Sequence, residues 1–367
     1  MKNYLKLGSM IAVSAVAVIG FSSLSFASVA GSCSTCHTMH NSQDGGNVSS
    51  STGASWSGGQ IQGGSSTAEN ATLLTTDCVG CHSNTGSETI LTVGSTQIPI
   101  VYNTGGYPVN SLAGGNFAEV NADHTKGHNV YGISPQDTHL SVAPGNFDVN
   151  GNPAISCGAA TCHTSLALSP SETIGRVATG EPNGCQGCHQ AIKHHGTDPA
   201  AGQPENANSG WYRFLGSPAG HFGGAGVAGI EDSDWEATTS ASDHNIYSGE
   251  SSEFSDPQSI GKYCAGCHAS FHAAGYTSLT TAIDNSSGGG SPWIRHPANF
   301  AIPNTGEYAG VIGAAYNPLV PVGKVALPPT DGATVQSGDQ VICLSCHRAH
   351  GSQYSDMLRW NPADVVA

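Results

Sequence analysis

Twelve cysteines fall in six pairs, at 33/36, 78/81, 157/162, 185/188, 264/267 and 343/346, and every second cysteine is followed at once by a histidine. The six segments read CSTCH, CVGCH, CGAATCH, CQGCH, CAGCH and CLSCH. Histidine makes up 17 of 367 residues, so this regularity is not chance. No cysteine is left over for a disulfide. Zinc knuckles pair Cys-x-x-Cys units but need no histidine after each, and a disulfide framework would leave the histidines unexplained. Covalent haem attachment needs both. Two thiols a short turn apart add to the vinyl groups of the porphyrin, and the next side chain is held beneath the iron as its proximal ligand.

The expectation is therefore six covalently bound haem c groups. Their thioether bonds would come from Cys33, Cys36, Cys78, Cys81, Cys157, Cys162, Cys185, Cys188, Cys264, Cys267, Cys343 and Cys346. The proximal ligands would be His37, His82, His163, His189, His268 and His347. CGAATCH has four residues between its cysteines instead of two, and reads as a longer loop that still delivers both thiols and His163.

Composition agrees with a chain that does not build its core from aliphatic side chains. There are 49 Gly and 19 Pro, and only 38% of residues are hydrophobic, below the usual share. Charged residues are 10%, too few for a charge-solvated coil. Six large apolar plates would supply the interior, with folding coupled to their attachment. The expected fold is mostly loop and coil with short α-helices just after each motif and little β-sheet. It is a covalent multihaem cytochrome c organised around a haem chain.

Residues 1–27 read as a signal peptide. Lys2 and Lys6 precede an apolar run from Ile11 to Ile19, and Ser25-Phe26-Ala27 is a small-residue cleavage site, with a second after Ala30. The run is too short to span a bilayer comfortably, and no membrane span is expected in the mature chain. Residues 28–367 form a single hexahaem unit, exported to the extracellular space or cell surface. The net charge of −15 becomes −17 once Lys2 and Lys6 are removed. With no basic patch to neutralise phosphates, nucleic-acid binding is excluded.

The distal face of each iron is the remaining question. Beyond the signal peptide only Met39 and Met357 remain, so six His/Met haems are impossible. Eleven histidines lie outside the motifs, enough to fill six distal positions. His40, His272 and His350 each follow a proximal histidine by three or four residues. Three residues reach at most about 10 Å, so each of them suits a neighbouring haem better than its own. His128 and His244 share a small repeat, KGHNVYG and SDHNIYSG. His296 in RHPAN, beside Arg295, completes the six expected distal ligands. His194 and His195 in KHHG are the next candidates, and His195 is able to displace one of the six. His124, His139 and His221 read as solvated or supporting residues. DVNGN at 148–152 alternates oxygen side chains as a calcium loop does but lacks the bidentate Glu, and reads as a turn.

CSTCHTMHNS, KGHNV, CAGCHASFH, RHPAN and CLSCHRAHGSQYSDMLRWN resemble segments of the extracellular multihaem c-type cytochromes of metal-reducing bacteria that polymerise into conducting filaments. The likeness is strongest from Cys185 to Asn361. It implies one continuous chain of haems, each held by two histidines, with His40 ligating a haem of the next subunit in a homopolymer. It also implies outer-membrane electron donors, and extracellular metal or cell acceptors. The expected function is extracellular electron transfer, by an electron carrier and not an enzyme. The alternatives are a multihaem reductase with one open haem, for which no lysine-for-histidine motif is present, and a monomeric periplasmic shuttle.

Overall fold

The computed structural model describes residues 29, 32–33, 36–37, 78–94, 96–106, 112–121, 123–138, 143–145, 166–168, 183–190, 192–216, 226–250, 256–268, 271 and 298–364, together with short strands at 42–43, 46–47, 55–57, 60–62, 282–283 and 293–294. The signal-peptide segment 1–27, His40, the whole of CGAATCH, His139, DVNGN, His221, His272 and His296 lie outside the described residues.

The five described haem-type motifs share one local shape. The N–H of each proximal histidine donates to the carbonyl of the first cysteine, four residues back, at 2.8–3.0 Å. In four of them the second cysteine also donates to the same carbonyl. Such a single turn is α-like or 3₁₀, and puts both thiols and the imidazole on one side. It appears as the helix Cys343–Cys346, the turn that continues from the end of the helix Ile260–Cys264, and 3₁₀ turns at Cys78–Gly80 and Cys185–Gly187. The helical turns thus lie on or before the cysteines, not just after them as expected. Ser259 starts the longer helix by accepting from the Lys262 N–H at 3.0 Å, an ordinary N-cap.

Most of the described residues are turn and coil, as the composition implied. The described sheets are small apart from one of five strands, ordered Phe300–Ala301, Gln340–Val341, Val322–Lys324, Ile246–Ser248 and Gly229–Ile230. All neighbours are antiparallel except Ile246–Ser248 and Val322–Lys324, which pair in parallel with Tyr247 opposite Gly323. No helix among the described residues is long and apolar enough to cross a membrane.

The apolar side chains form several separate clusters. One gathers Val79, Phe117, Val120, Val130 and Leu166, and another Tyr212, Val227, Tyr247, Ile260 and Ile342. A third, around Tyr316, Val322 and Val335, adjoins a buried polar knot. There Lys324 Nζ donates to Asp339 at 2.6 Å and to the Thr334 carbonyl at 2.8 Å, and lies 5.7 Å from the Tyr316 ring centre. His244 stacks on Tyr316, with ring centres 3.6 Å apart.

Backbones also meet directly. Gly351 bridges to both Gly115 and Gly127, so the AGGN, KGHNV and CHRAHG segments touch main chain to main chain. A Cβ on Gly115, which has φ +82°, or on Gly127 would overlap the carbonyl of Gly351 or His350. These contacts fix His350 and His128 beside each other, with the His128 N–H on the His350 carbonyl.

Candidate functional site

A single cavity of about 1840 Å³ runs through the described structure, larger than the ~300–1,000 Å³ of a single-ligand site. All five described cysteine pairs line it, as do His37, His82, His124, His128, His189, His194, His195, His268, His347 and His350. Phe117, Ile98, Leu112, Tyr263 and Leu344 contribute apolar wall. The space that aliphatic side chains leave is therefore gathered into one channel, and every described Cys/His turn faces it.

Across this channel the histidines face each other in pairs. His37 lies opposite His195 with ring centres 6.2 Å apart, and His82 opposite His194 at 6.3 Å. His268 faces His128 at 6.1 Å, and His189 faces His350 at 6.0 Å. Two imidazoles sharing one metal ion, each nitrogen about 2 Å from it, have ring centres roughly 6 Å apart. Each pair thus leaves room for one ion, with a thiol pair beside it.

Hydrogen bonds set the tautomer. Nδ1 of His82 donates to the Pro99 carbonyl, His189 to Arg213, and His268 to Pro144, each at 2.8 Å; His347 donates to Asp356 at 2.6 Å. His128 does the same toward Ala349 at 2.8 Å. A carbonyl only accepts, so the proton sits on Nδ1 and Nε2 keeps its lone pair for a metal. Burial keeps these rings neutral. It pushes His82, His128, His189 and His347 below the usual histidine range. Burial, helped by neighbouring imidazoles, takes His194 and His268 down to about 4 and His350 to about 3. Cysteine pairs, neutral imidazoles and a long apolar channel fit haem, and the donor set leaves each facing pair with two nitrogens.

The placement of the expected distal ligands is mixed. His350 and His128 face proximal histidines. His194 and His195, ranked behind the six, also face proximal histidines. His244 does not line the channel. Its Nδ1 lies 2.7 Å from the Asn245 carbonyl and its Nε2 3.1 Å from those of Ala241 and Gly332, and the residue is 7% exposed. The repeat shared by His128 and His244 therefore brings only His128 to the channel wall, while His244 leads into the strand Ile246–Ser248. His124 borders the channel, with its Nδ1 2.5 Å from the Asn129 amide nitrogen.

The motifs are also tied to each other. His194 and His195 are consecutive yet face the second and first motifs, so those two sites are linked through one peptide bond. His350, three residues past His347 of the sixth motif, faces the fourth. The Tyr263 hydroxyl donates to the Cys188 carbonyl, joining fourth and fifth, and Ile260 and Cys264 share one apolar cluster with Ile342 and Leu344, joining fifth and sixth.

One carboxyl near this wall is poised unusually. Glu205 is 7% exposed, and burial, reinforced by Glu231 and Asp198, raises it to about 7 from an ordinary 4.5. Between those values the folded chain holds a proton that the unfolded chain has lost. Stability therefore falls as pH rises through 7, and the full cost stands above it. Glu205→Gln is expected to stabilise the protein by about 1–2 kcal/mol at pH 8, after allowance for solvent screening, with the gain vanishing near pH 4.5. Denaturant titrations at the two pH values check this.

No family model matches the chain. It is similar to the C-type cytochrome OmcS of Geobacter sulfurreducens, 25% identical over 329 residues, covering 78% of this chain and 70% of that protein. Among solved structures, an outer membrane cytochrome S filament from Geobacter sulfurreducens aligns with a TM-score of 0.46 and 20% identity, over 92% of this chain and 84% of that one. OmcS nanowires from the same organism, seen by cryo-EM, align with a TM-score of 0.49 and 21% identity, over 92% and 86%. These are the kind of protein to which the motifs pointed.

Proposed function

We propose that the chain is an extracellular electron carrier, holding six covalent haem c groups in bis-histidine sites and assembling into a homopolymeric filament. The observation that carries this reading is the four facing histidine pairs, each about 6 Å apart beside a thiol pair along one channel. Haem, when bound, supplies the redox iron and the conjugated plate through which electrons pass. The protein's part is to hold the sites close, exclude water and fix the imidazoles. Cys33, Cys36 and His37 would hold the first haem with His195 on its other face. Cys78, Cys81 and His82 would hold the second with His194. Cys185, Cys188 and His189 serve the fourth with His350, and Cys264, Cys267 and His268 the fifth with His128. Cys157, Cys162 and His163 remain assigned to the third, and Cys343, Cys346 and His347 to the sixth.

The links between motifs support an order in space of first, second and fourth, followed by the fifth and sixth side by side. Electron transfer then needs no substrate site, because every facing pair closes both sides of its iron. The relative's filaments, and the resemblance of CSTCHTMHNS, support assembly through His40. Outer-membrane donors feed such a filament, and extracellular metal or cells accept from it.

The test uses the secreted protein as isolated. Six haems per chain by pyridine haemochrome, uniformly low-spin spectra and thin filaments by electron microscopy are expected. A high-spin fraction in the assembled protein would overturn the closed-site reading in favour of a reductase. Single particles alone at high concentration would leave a six-haem shuttle.

A further inference from the structure

The carbonyls that hold the proximal imidazoles come from residues whose backbone is fixed in unusual ways. Two belong to prolines, Pro99 and Pro144, whose rings lock φ. The other two belong to Arg213 and Asp356, which are left-handed at φ 47° and 58°. For a non-glycine residue that conformation costs roughly 1–2 kcal/mol. Something must hold it, and at Arg213 the holder is visible.

The Arg213 side chain is anchored at every end. The Arg213 backbone N–H donates to Glu231 Oε1 at 2.6 Å, and the side-chain Nη1 donates to Glu231 Oε2 at 3.0 Å. Nη2 donates to the Asp232 carbonyl at 2.6 Å and to Asn245 Oδ1 at 3.0 Å. The guanidinium lies 5.4 Å from the Trp235 ring centre and 5.7 Å from that of Tyr212. The next residue, Phe214, and Trp211 two residues before also have positive φ, at 58° and 67°. The guanidinium makes its three bonds from two separate nitrogens in a fixed plane, whereas an ammonium has its three donors on a single nitrogen.

We propose that Arg213 is a positioning residue for the fourth haem site: its anchored guanidinium holds its own backbone left-handed, and this aims the Arg213 carbonyl at Nδ1 of His189. The side chain never touches the ligand and acts through its own main chain. A firm Nδ1–H···O=C bond gives the ring more imidazolate character and makes it a stronger donor to the iron, which favours the oxidised state. The proposal rests on the haem reading above.

Three variants of the full haem-loaded chain separate backbone from charge. Arg213→Lys keeps the charge and loses the fork. Arg213→Gly loses charge and fork but adopts the left-handed region freely, and Arg213→Ala loses all three. Two readouts apply: hydrogen exchange of the His189 Nδ1 proton by NMR, and a potentiometric titration following one-sixth of the haem absorbance. Exchange is expected to be at least tenfold faster in the Lys and Ala variants than in wild type, and close to wild type in Gly. The potential of that one haem is expected to lie higher in Ala than in Gly, two variants of equal charge. Should Ala not accumulate, Lys against wild type makes the same comparison at constant charge. Wild-type exchange in Lys, or identical behaviour of Gly and Ala, would overturn the proposal. A wild-type protein with no low-spin iron overturns the haem reading, and this inference with it.

Discussion

In the haem-loaded protein, His195→Ala is expected to leave six haems attached and to turn one of the six irons from low-spin to high-spin. His244→Ala is expected to leave every iron low-spin. The His195 ring lies across the channel from His37, so its loss opens one face of the first site while the thioethers stay intact. His194→Ala should do the same at the second site, opposite His82. His244 is instead packed against Tyr316 and surrounded by backbone carbonyls. Removing it leaves a cavity beside the buried Lys324–Asp339 pair, and should cost about 2–3 kcal/mol of stability. Absorption and EPR spectra report the spin state, and denaturant titration reports the stability. A high-spin signal from His244→Ala with none from His195→Ala would overturn the pairing of rings across the channel.

That contrast marks where sequence reading stops. The Cys/Cys/His turns that line the channel were legible because they repeat cysteine, cysteine and histidine at a fixed local spacing. The lack of a large aliphatic core was legible too, in 49 Gly and 38% hydrophobic residues. Distal ligands obey no local rule, since each comes from wherever the chain passes the far side of a plate. KHHG, two adjacent histidines just past the fourth motif, stood next behind the six candidates. The two histidines occupy the centre of a turn closed by the Gly196 N–H on the Lys193 carbonyl, and only the tertiary path reveals that each ring meets a different site. The shared His-Asn-aliphatic-Tyr pattern misled for the complementary reason. His128 sits where Gly127 and Gly351 let two backbones touch beside the channel, whereas His244 leads into a strand of the five-stranded sheet. The Nδ1 acceptors left no trace in sequence at all, because any residue has a carbonyl and only its backbone angles make it useful.

The last expectation concerns the polymer. His40→Ala should leave six haems attached to each chain, abolish filaments and produce one high-spin iron per protomer. His40 lies three residues beyond His37, and the other face of that site already has His195 at 6.2 Å. The sites at His82, His189 and His268 are likewise faced by His194, His350 and His128 of the same chain, and on the proposed pairing none of these four needs His40. The resemblance of CSTCHTMHNS to the filament-forming cytochromes assigns it to a haem of the next subunit. A coordination bond at each junction would make assembly depend on a single side chain, which few non-covalent interfaces do. Free imidazole separates the bond from the tether. Added to the variant, it should restore a low-spin spectrum, because it supplies the missing nitrogen, yet restore no filaments, because it joins nothing. Electron microscopy and EPR on the same sample read both outcomes. Filaments from His40→Ala with every iron low-spin would show that the subunits are held together by surfaces alone, and that His40 acts within its own chain.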